Sequence, residues 1–255
     1  MQKLEHKDLL NAGVHFGHLT RKWDPAMAPF IFMEKNGIHI VDLHKTLACL
    51  EEAAKAIKAI VRSGRKVMFI ATKKQAKEVV EGEAKRLNMP FVTERWQGGM
   101  LTNFVTIRKS LKKMAGMEKL MKEESYQNLA KRERLTISRA KDKLEKVLGG
   151  ISDLNRLPAA LFVVDIKREH IAISEAQKLN IPVFGIVDTN SNPNKIDYPI
   201  PGNDDALKSI KLLTEYLGKA IEEGMAERKK DKEEQAQAEE EAAKKEADEK
   251  SELAG

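Results

Sequence analysis

The stretch from Ala159 to Asp205 constrains the fold of this chain more than any other. It contains two short apolar runs rich in valine and isoleucine, Leu161–Asp165 and Pro182–Asp188, and each run ends in an aspartate. Such runs are typical of strands that are buried on both faces of a parallel sheet. Apolar positions between the runs recur at helical spacing, which predicts a β-α-β unit with a right-handed crossover. The turn-forming sequence DTNSNPN follows the second strand, at the edge where α/β proteins usually bind their ligands.

The first half of the chain repeats this alternation of strand and helix. The elements predicted there are a strand pair over Phe30–Met33 and Ile38–Leu43, a helix over His44–Arg62, and buried strands over Lys66–Ala71 and Pro90–Thr93. The pattern predicts an α/β fold with a Rossmann-like (flavodoxin-like) doubly wound parallel sheet. This domain is expected to be discontinuous and to span residues 1–103 and 152–221.

Residues 104–151 interrupt the alternation with helix alone. Two rows of apolar residues follow heptad a and d spacing, one starting at Phe104 and the other at Ile137. They predict an inserted antiparallel coiled-coil αα-hairpin that turns near Glu123–Asn128. Each arm of about 25 residues is expected to extend about 37 Å.

The charge of the chain is unevenly distributed. The formal net charge is +6, but residues 222–255 carry −6, so residues 1–221 carry +12. A body this basic is typical of proteins that bind a polyanion, with nucleic acid as the first candidate. A final helix is predicted over Ala206–Gly218, capped by Asn203 or Asp204. Residues 222–255 are expected to form a charged, disordered tail that buries no apolar face.

Cysteine content and hydropathy bear on the cellular compartment. The single cysteine, Cys49, excludes an intrachain disulfide and a cysteine zinc cluster, and it fits a reducing compartment. No apolar run approaches the roughly 20 residues that a membrane span needs. The first ten residues lack the apolar core of a signal peptide. A cytoplasmic protein that does not associate with membranes is therefore expected.

Cations interleaved with aromatic residues mark a first candidate RNA-binding segment. It comprises His15, Phe16, Arg21, Lys22 and Trp23. This composition is typical of surfaces that bind single-stranded or looped RNA. In the alternative interpretation, Phe16 and Trp23 simply pack onto the edge of the domain, and the sequence does not decide between the two.

The loop ERWQGGMLTNF is the second candidate. Its glycine pair allows the backbone to approach another surface closely. Neither a dinucleotide-binding glycine fingerprint nor a P-loop sequence is present, so an RNA backbone is a better expected partner than a free nucleotide. Candidate RNA contacts of this loop, and of the end of the strand Lys66–Ala71, are Arg95, Trp96, Gly98, Gly99, Thr102, Asn103, Lys73 and Lys74.

Four motifs together resemble the bacterial small-subunit ribosomal protein S two family. They are AGVHFGH (12–18), RWQGGMLTN (95–103), IPVFGIVDTN (181–190) and IPGNDDA (200–206), in the order of the family, within a match from about Leu9 to Tyr216. The resemblance implies a Rossmann-like domain with a protruding coiled-coil hairpin. It implies a structural role on small-subunit rRNA between the head and the body of the subunit, without a required cofactor. The implied partners are neighbouring ribosomal proteins, including ribosomal protein S one, which relatives help to retain. A homo-oligomer is not expected.

Two other classes of function compete with RNA binding. An enzyme with a Rossmann-like sheet would bind a nucleotide at the strand ends marked by Thr72 and Asp188, and Asp165 and Asp188 would be its candidate carboxylates. However, the chain lacks a glycine fingerprint, a nucleophile elbow and an HExxH helix. An adaptor that binds only proteins explains the hairpin but not the basic body. The sequence therefore favours a structural RNA-binding protein without catalytic residues.

One histidine and two aspartates form a candidate metal site. His18 lies in a segment expected to cover the carboxyl edge of the sheet, Asp188 ends a strand at that edge, and Asp205 begins the last helix. An imidazole and two carboxylates are an incomplete ligand set for zinc or, with more oxygens and water, for magnesium. The alternative is a hydrogen bond from His18 to an aspartate, with Asp204 or Asp205 capping the helix.

Overall fold

The computed structural model describes residues 4–252, with side-chain surroundings for all of these except 124, 125, 232 and 235–252. The helices in this range are α1 (His6–Ala12), α2 (Leu43–Arg62), α3 (Lys74–Arg86), α4 (Phe104–Lys122), α5 (Glu124–Gln127), α6 (Lys131–Leu148), α7 (His170–Lys178) and α8 (Leu207–Glu252). The strands are β1 (Phe16–Leu19), β2 (Ile31–Lys35), β3 (Ile38–Val41), β4 (Val67–Ile70), β5 (Phe91–Val92), β6 (Ala160–Val164), β7 (Val183–Val187) and β8 (Tyr198–Pro201).

Five strands form one parallel sheet in the order β5-β4-β6-β7-β8. Every residue of β4, β6 and β7 is buried, as expected for strands covered on both faces. Phe69 pairs in register with Phe162, and Phe162 pairs with Phe184, so large side chains from three strands share one face. The predicted α/β, Rossmann-like architecture is confirmed.

Two apolar layers cover the sheet. On one face the three phenylalanines pack with apolar residues of α2, α3 and α8. On the other face Met68, Leu161 and Val163 pack with α7, with the loop after β5 and with the base of the α4–α6 insertion. The insertion is therefore attached to the sheet through a continuous apolar cluster.

The N-terminal strands form a second, antiparallel sheet in the order β1-β3-β2. The pair β2 and β3 was predicted, and the two strands are joined by a turn at Asn36 and Gly37, both of which have positive φ values. Strand β1 was not predicted, because Phe16–Leu19 is short and half-exposed and its pairing with β3 has an irregular register. This strand carries His18 to the large sheet.

The insertion consists of α4 and α6, two long helices that contact each other, joined by the short helix α5. The turn lies between Lys122 and Lys131, close to the predicted position. A supercoil between the two arms remains a prediction, as does the division of the chain at residues 104, 151 and 222. Within residues 4–252, no helix combines the length and the apolar character needed to cross a bilayer.

Helix α8 continues well past the predicted end of the final helix. Met225 packs against the main apolar cluster, and Gly224 lies so close to α2 that an added Cβ would be 2.8 Å from the Lys58 carbonyl oxygen. Lys58 pairs with Glu223 and Glu227. The expectation that residues from 222 onward bury nothing is therefore wrong for the first turns. Residues 253–255 of the predicted tail lie outside the described residues.

These contacts make the position of a truncation matter. A chain that ends at Ile221 loses the burial of Met225, worth about 1 kcal/mol, so we expect its melting temperature to fall by about 2–4 °C. A chain that ends at Glu234 keeps these contacts and is expected to melt with the full chain. Thermal unfolding of the three chains tests this. Equal midpoints for all three would contradict a stabilising role for residues 222–234.

Candidate nucleic-acid interface at the carboxyl edge of the sheet

Strand β1 lies against the carboxyl edge of the large sheet. The backbone N–H of His18 donates to Thr189 Oγ1 at 2.9 Å and to Asp188 Oδ1 at 3.2 Å. Gly17 permits this approach, because a Cβ there would be 2.6 Å from Thr189 Cγ2 and 2.9 Å from the His39 carbonyl oxygen. The N-terminal segment therefore covers the ends of β7 and β8.

The structure brings His18, Asp188 and Asp205 together. His18 Nδ1 lies 2.9 Å from Asp188 Oδ2, and Nε2 lies 3.3 Å from Asp205 Oδ2. The hydrogen bond to Asp188 raises the pKa of His18 above its ordinary value, against the effect of burial. The Asn203 side chain closes the turn that leads into α8: its Oδ1 accepts from the backbone N–H groups of Asp205 and Ala206, just before the helix begins at Leu207.

A fourth residue, Asp204, belongs to this cluster. Its side chain is fully buried, and its Oδ2 has no hydrogen-bond partner among the described residues. Burial, together with the charges of Asp188 and Asp165, raises the pKa of Asp204 to about 7. One ligand atom from each of His18, Asp188, Asp204 and Asp205 lies within 4.8 Å of the others. The sequence suggests Asp204 only as a helix cap. The direction of its side chain depends on the path of the backbone from β8 to α8, which the sequence does not show.

Lys73, a candidate RNA contact in the sequence, belongs to the same cluster and is buried, with only 9% of the residue exposed. Its Nζ lies 2.7 Å from Asp204 Oδ1, 2.6 Å from Asp205 Oδ1 and 3.7 Å from Asp165 Oδ2. Burial alone would lower the pKa of Lys73, but these carboxylates raise it above its ordinary value, so the side chain stays charged. Because the ammonium group is enclosed by aspartates, Lys73 is a poor candidate for a phosphate contact.

The sheet reverses its strand order between β4 and β6, where doubly wound proteins usually bind nucleotides. Here a buried carboxylate fills that crevice. Glu169 Oε1 accepts from the Thr72 backbone N–H at 3.1 Å and from the Thr72 hydroxyl, and Arg168 Nε donates to Thr72 Oγ1 at 2.7 Å. Burial raises the pKa of Glu169. The donors that would hold a phosphate are bound to an internal acid, so this edge does not support the nucleotide-binding enzyme.

The glycine-containing loop after β5 is held by one glutamate that the sequence did not identify. Glu175 of α7 accepts from Trp96 Nε1 at 3.1 Å and from the Gly99 N–H at 2.7 Å. Its second oxygen accepts from the N–H groups of Leu101 and Thr102, each at 3.0 Å, and from the Thr102 hydroxyl at 3.1 Å. Burial alone would raise the pKa of Glu175, but these donors hold the pKa below its ordinary value.

This anchoring changes the role of the loop. Trp96 is only 7% exposed and faces the protein interior, and the N–H groups of Gly99 and Thr102 are already bonded. Trp96, Gly99 and Thr102 therefore position the loop, while Arg95 and Gly98 remain exposed. Asn103 precedes α4, but its Oδ1 accepts from the Thr106 hydroxyl and makes no backbone cap. The sequence does contain a signal for the role of Glu175: it is a charged residue on the otherwise apolar stripe of α7.

The first candidate segment is largely open to solvent. Phe16 is 49% exposed and Trp23 is 39% exposed, with Arg21 and Lys22 exposed between them. The Trp23 ring also contacts the His39 ring at a centroid distance of 5.1 Å, so it is partly packed and partly free. His15 is half-buried, which lowers its pKa. Lys74, at the start of α3, is exposed.

Comparison with known proteins gives one consistent answer. The family described as "Ribosomal protein S2" matches residues 9–224. The chain is 67% identical over 247 residues to the small ribosomal subunit protein uS2 of Cytophaga hutchinsonii, covering 97% of each chain. It is 60% identical over 245 residues to the protein of the same name from Flavobacterium johnsoniae, covering 96% of each. It is also similar to that of Flavobacterium psychrophilum, with 62% identity over 231 residues, 91% of this chain and 87% of the relative.

Proposed function

The chain belongs to the ribosomal protein S2 family, and on that premise we propose that it binds small-subunit rRNA as a structural, non-catalytic constituent of the small ribosomal subunit. The observation that carries the RNA contact is a set of exposed cations on a body of charge +12. Arg21, Lys22, Lys74 and Arg95 have no ion pair within the described part of the chain. Their charges are therefore free to neutralise phosphates, in contrast to that of Lys73.

The aromatic residues add a second kind of contact. Exposed Phe16 and Trp23 flank the cations of the N-terminal segment, and aromatic rings stack on unpaired bases. His15 lies under Phe16, with a ring distance of 4.0 Å, and supports that ring. The loop after β5 contributes Arg95 and Gly98 at its surface, held in place by Glu175.

The partners within the subunit are rRNA at the junction of head and body and neighbouring ribosomal proteins, including ribosomal protein S one. The family resemblance supports these partners, and exposed apolar residues on the hairpin, such as Val105 at 69% and Leu135 at 49%, are suited to protein contacts. Crosslinking of the purified small subunit, with mapping of the attached nucleotides and proteins, tests this. Crosslinks that lie away from the head–body junction would contradict the placement.

A metal ion at the His18 cluster is a second proposal, favoured by the buried and unpartnered Oδ2 of Asp204. His18, Asp188, Asp204 and Asp205 offer one nitrogen and several oxygens, a donor set that zinc accepts and that magnesium accepts with added water. A cation beside Asp204 would also favour its ionised form, which burial disfavours.

Elemental analysis of the purified protein tests this metal site. We expect about one equivalent of metal in the parent and its loss in His18→Ala, because the imidazole supplies the nitrogen ligand. His6→Ala, which changes an exposed histidine outside the cluster, is the control and should keep the metal. Metal content well below one equivalent in the parent, or unchanged in His18→Ala, would contradict the site.

A further inference from the structure

We propose that a cationic cavity beside Trp23 takes one unstacked ribonucleotide of the bound RNA, with lysines on its phosphate and the indole against its base. This inference rests on the proposed RNA-binding function and adds Lys167 and Lys195 to its contacts. The cavity has a volume of about 410 Å³, which lies in the lower part of the range of about 300–1,000 Å³ typical of small-ligand sites.

Three segments at the carboxyl edge of the sheet form the walls of this cavity. They are the turn after β1 with Lys22 and Trp23, the segment after β6 with Lys167, and the loop after β7 that ends at Lys195. The cavity is distinct from the His18 cluster, whose four residues do not line it. It is also distinct from the crevice between β4 and β6, which Glu169 fills.

The charge of the walls suits a phosphate group. Lys22, Lys167 and Lys195 are exposed, and none forms an ion pair with a described residue. Asp24 is the acidic residue of the wall, and its Oδ1 already accepts the Ala26 N–H at 2.9 Å. Three unpaired ammonium groups around one cavity favour a polyanion, because each releases a counterion from the RNA when it binds a phosphate.

The indole of Trp23 provides the surface for the base. Its ring contacts the ring of His39, and 39% of the residue remains exposed. Stacking on an aromatic ring tolerates any base, because every base has a π-face. Bases inside a duplex are already stacked and paired, so the cavity is suited to an unpaired nucleotide.

Hydrogen bonds hold the walls in place before any ligand binds. Gln177 Nε2 donates to the Lys195 carbonyl oxygen at 2.8 Å, and the Asp24 N–H donates to the Thr189 carbonyl oxygen at 2.8 Å. Asn192 Oδ1 accepts the Asn194 N–H at 2.9 Å. A cavity formed by fixed loops loses little conformational entropy on binding.

The test uses the full chain and two fluorescent RNAs of equal length, a single-stranded uridine oligonucleotide and a blunt duplex. In the double variant Lys167→Ala with Lys195→Ala, we expect the affinity for the single strand to fall about 20-fold near 0.1 M salt. The slope of log affinity against log salt should decrease by about 1.4, since each single-strand phosphate contact accounts for about 0.7. Duplex affinity should stay within about two-fold. Lys178→Ala, an exposed lysine of α7 outside the cavity, is the control.

The outcomes separate this inference from the function on which it rests. If the parent binds RNA but the double variant binds the single strand as tightly as Lys178→Ala does, the cavity is not a nucleotide site, and the proposed function stands. If the parent binds neither RNA, both proposals fail. Free adenosine monophosphate carries the same chemical groups, and we expect it to compete only at millimolar concentration. Displacement at micromolar concentration would assign the cavity to a free nucleotide and overturn the inference.

Discussion

Glu175→Ala is expected to destabilise the protein by about 3–5 kcal/mol. The change removes the acceptor of four backbone and side-chain N–H groups and one hydroxyl; the donors of Trp96 and Leu101 are buried, and those of Gly99 and Thr102 are partly buried. Leaving one buried donor unpaired costs about 1–3 kcal/mol, and some of these groups regain water when the loop opens. Urea unfolding measures the loss. The emission of Trp96, now buried, should also shift to longer wavelength, because opening of the loop exposes its indole to water.

Two further variants distinguish the loss of the hydrogen bonds between Glu175 and the loop after β5 from a general effect of substitutions in α7. Glu175→Gln keeps a carbonyl oxygen as an acceptor and is expected to lose less stability than Glu175→Ala. Lys178→Ala changes an exposed residue of the same helix and should remain within about 0.5 kcal/mol of the parent. A Glu175→Ala protein as stable as Lys178→Ala, with unchanged Trp96 emission, would contradict the anchoring role.

Gly150→Ala is expected to lower the free energy of unfolding by about 3 kcal/mol. A Cβ at this position would be 2.2 Å from the Phe91 carbonyl oxygen and 2.8 Å from two atoms of the Phe91 ring. Phe91 lies in β5, so the clash is relieved only by moving a strand or the base of the hairpin, and overpacking of this kind costs about 1–3 kcal/mol or more.

The neighbouring glycine is a matched control for this prediction. At Gly149 the nearest atom to an added Cβ is Glu145 Cγ, at an ordinary distance of 3.7 Å, and the backbone is helical with φ −56° and ψ −39°. Gly149→Ala should therefore leave the free energy of unfolding unchanged or raise it by up to about 1 kcal/mol, because alanine lowers the conformational entropy of the unfolded chain. Equal stability of the two variants in denaturant would show that the hairpin base does not pack on β5 as described.

The buried sheet was predictable because its strands are covered on both faces. Runs such as Leu161–Asp165 must then be apolar throughout, and a local pattern is enough to identify them. The position of Asp188 was also predictable, since the carboxyl ends of parallel strands meet at one edge of the sheet. In contrast, β1 is a short edge strand whose half-exposed residues carry no such pattern.

The roles of Lys73 and Trp96 depend on contacts between distant residues. Lys73 follows a strand and points to aspartates more than 90 positions away, and Trp96 bonds to Glu175, which is 79 positions away. Local composition suggests an RNA surface for both residues. However, the order of the strands places Lys73 beside aspartates, and the position of α7 places Glu175 beside Trp96. The start of the charged tail was wrongly expected to bury nothing, again because its contacts are distant in sequence. Gly224 lies against α2 and Met225 packs on the main apolar cluster, but two residues do not form an apolar pattern.

The salt dependence of rRNA binding tests the central claim most directly. Affinity of the full chain for small-subunit rRNA should fall steeply with salt, and Arg21→Glu should weaken binding and reduce the slope by about 1. Lys178→Glu, which makes the same change of charge on the far end of α7, should affect the slope less. Affinity that does not change between low and physiological salt, or an Arg21→Glu slope equal to that of the parent, would contradict RNA binding through the phosphates at this edge.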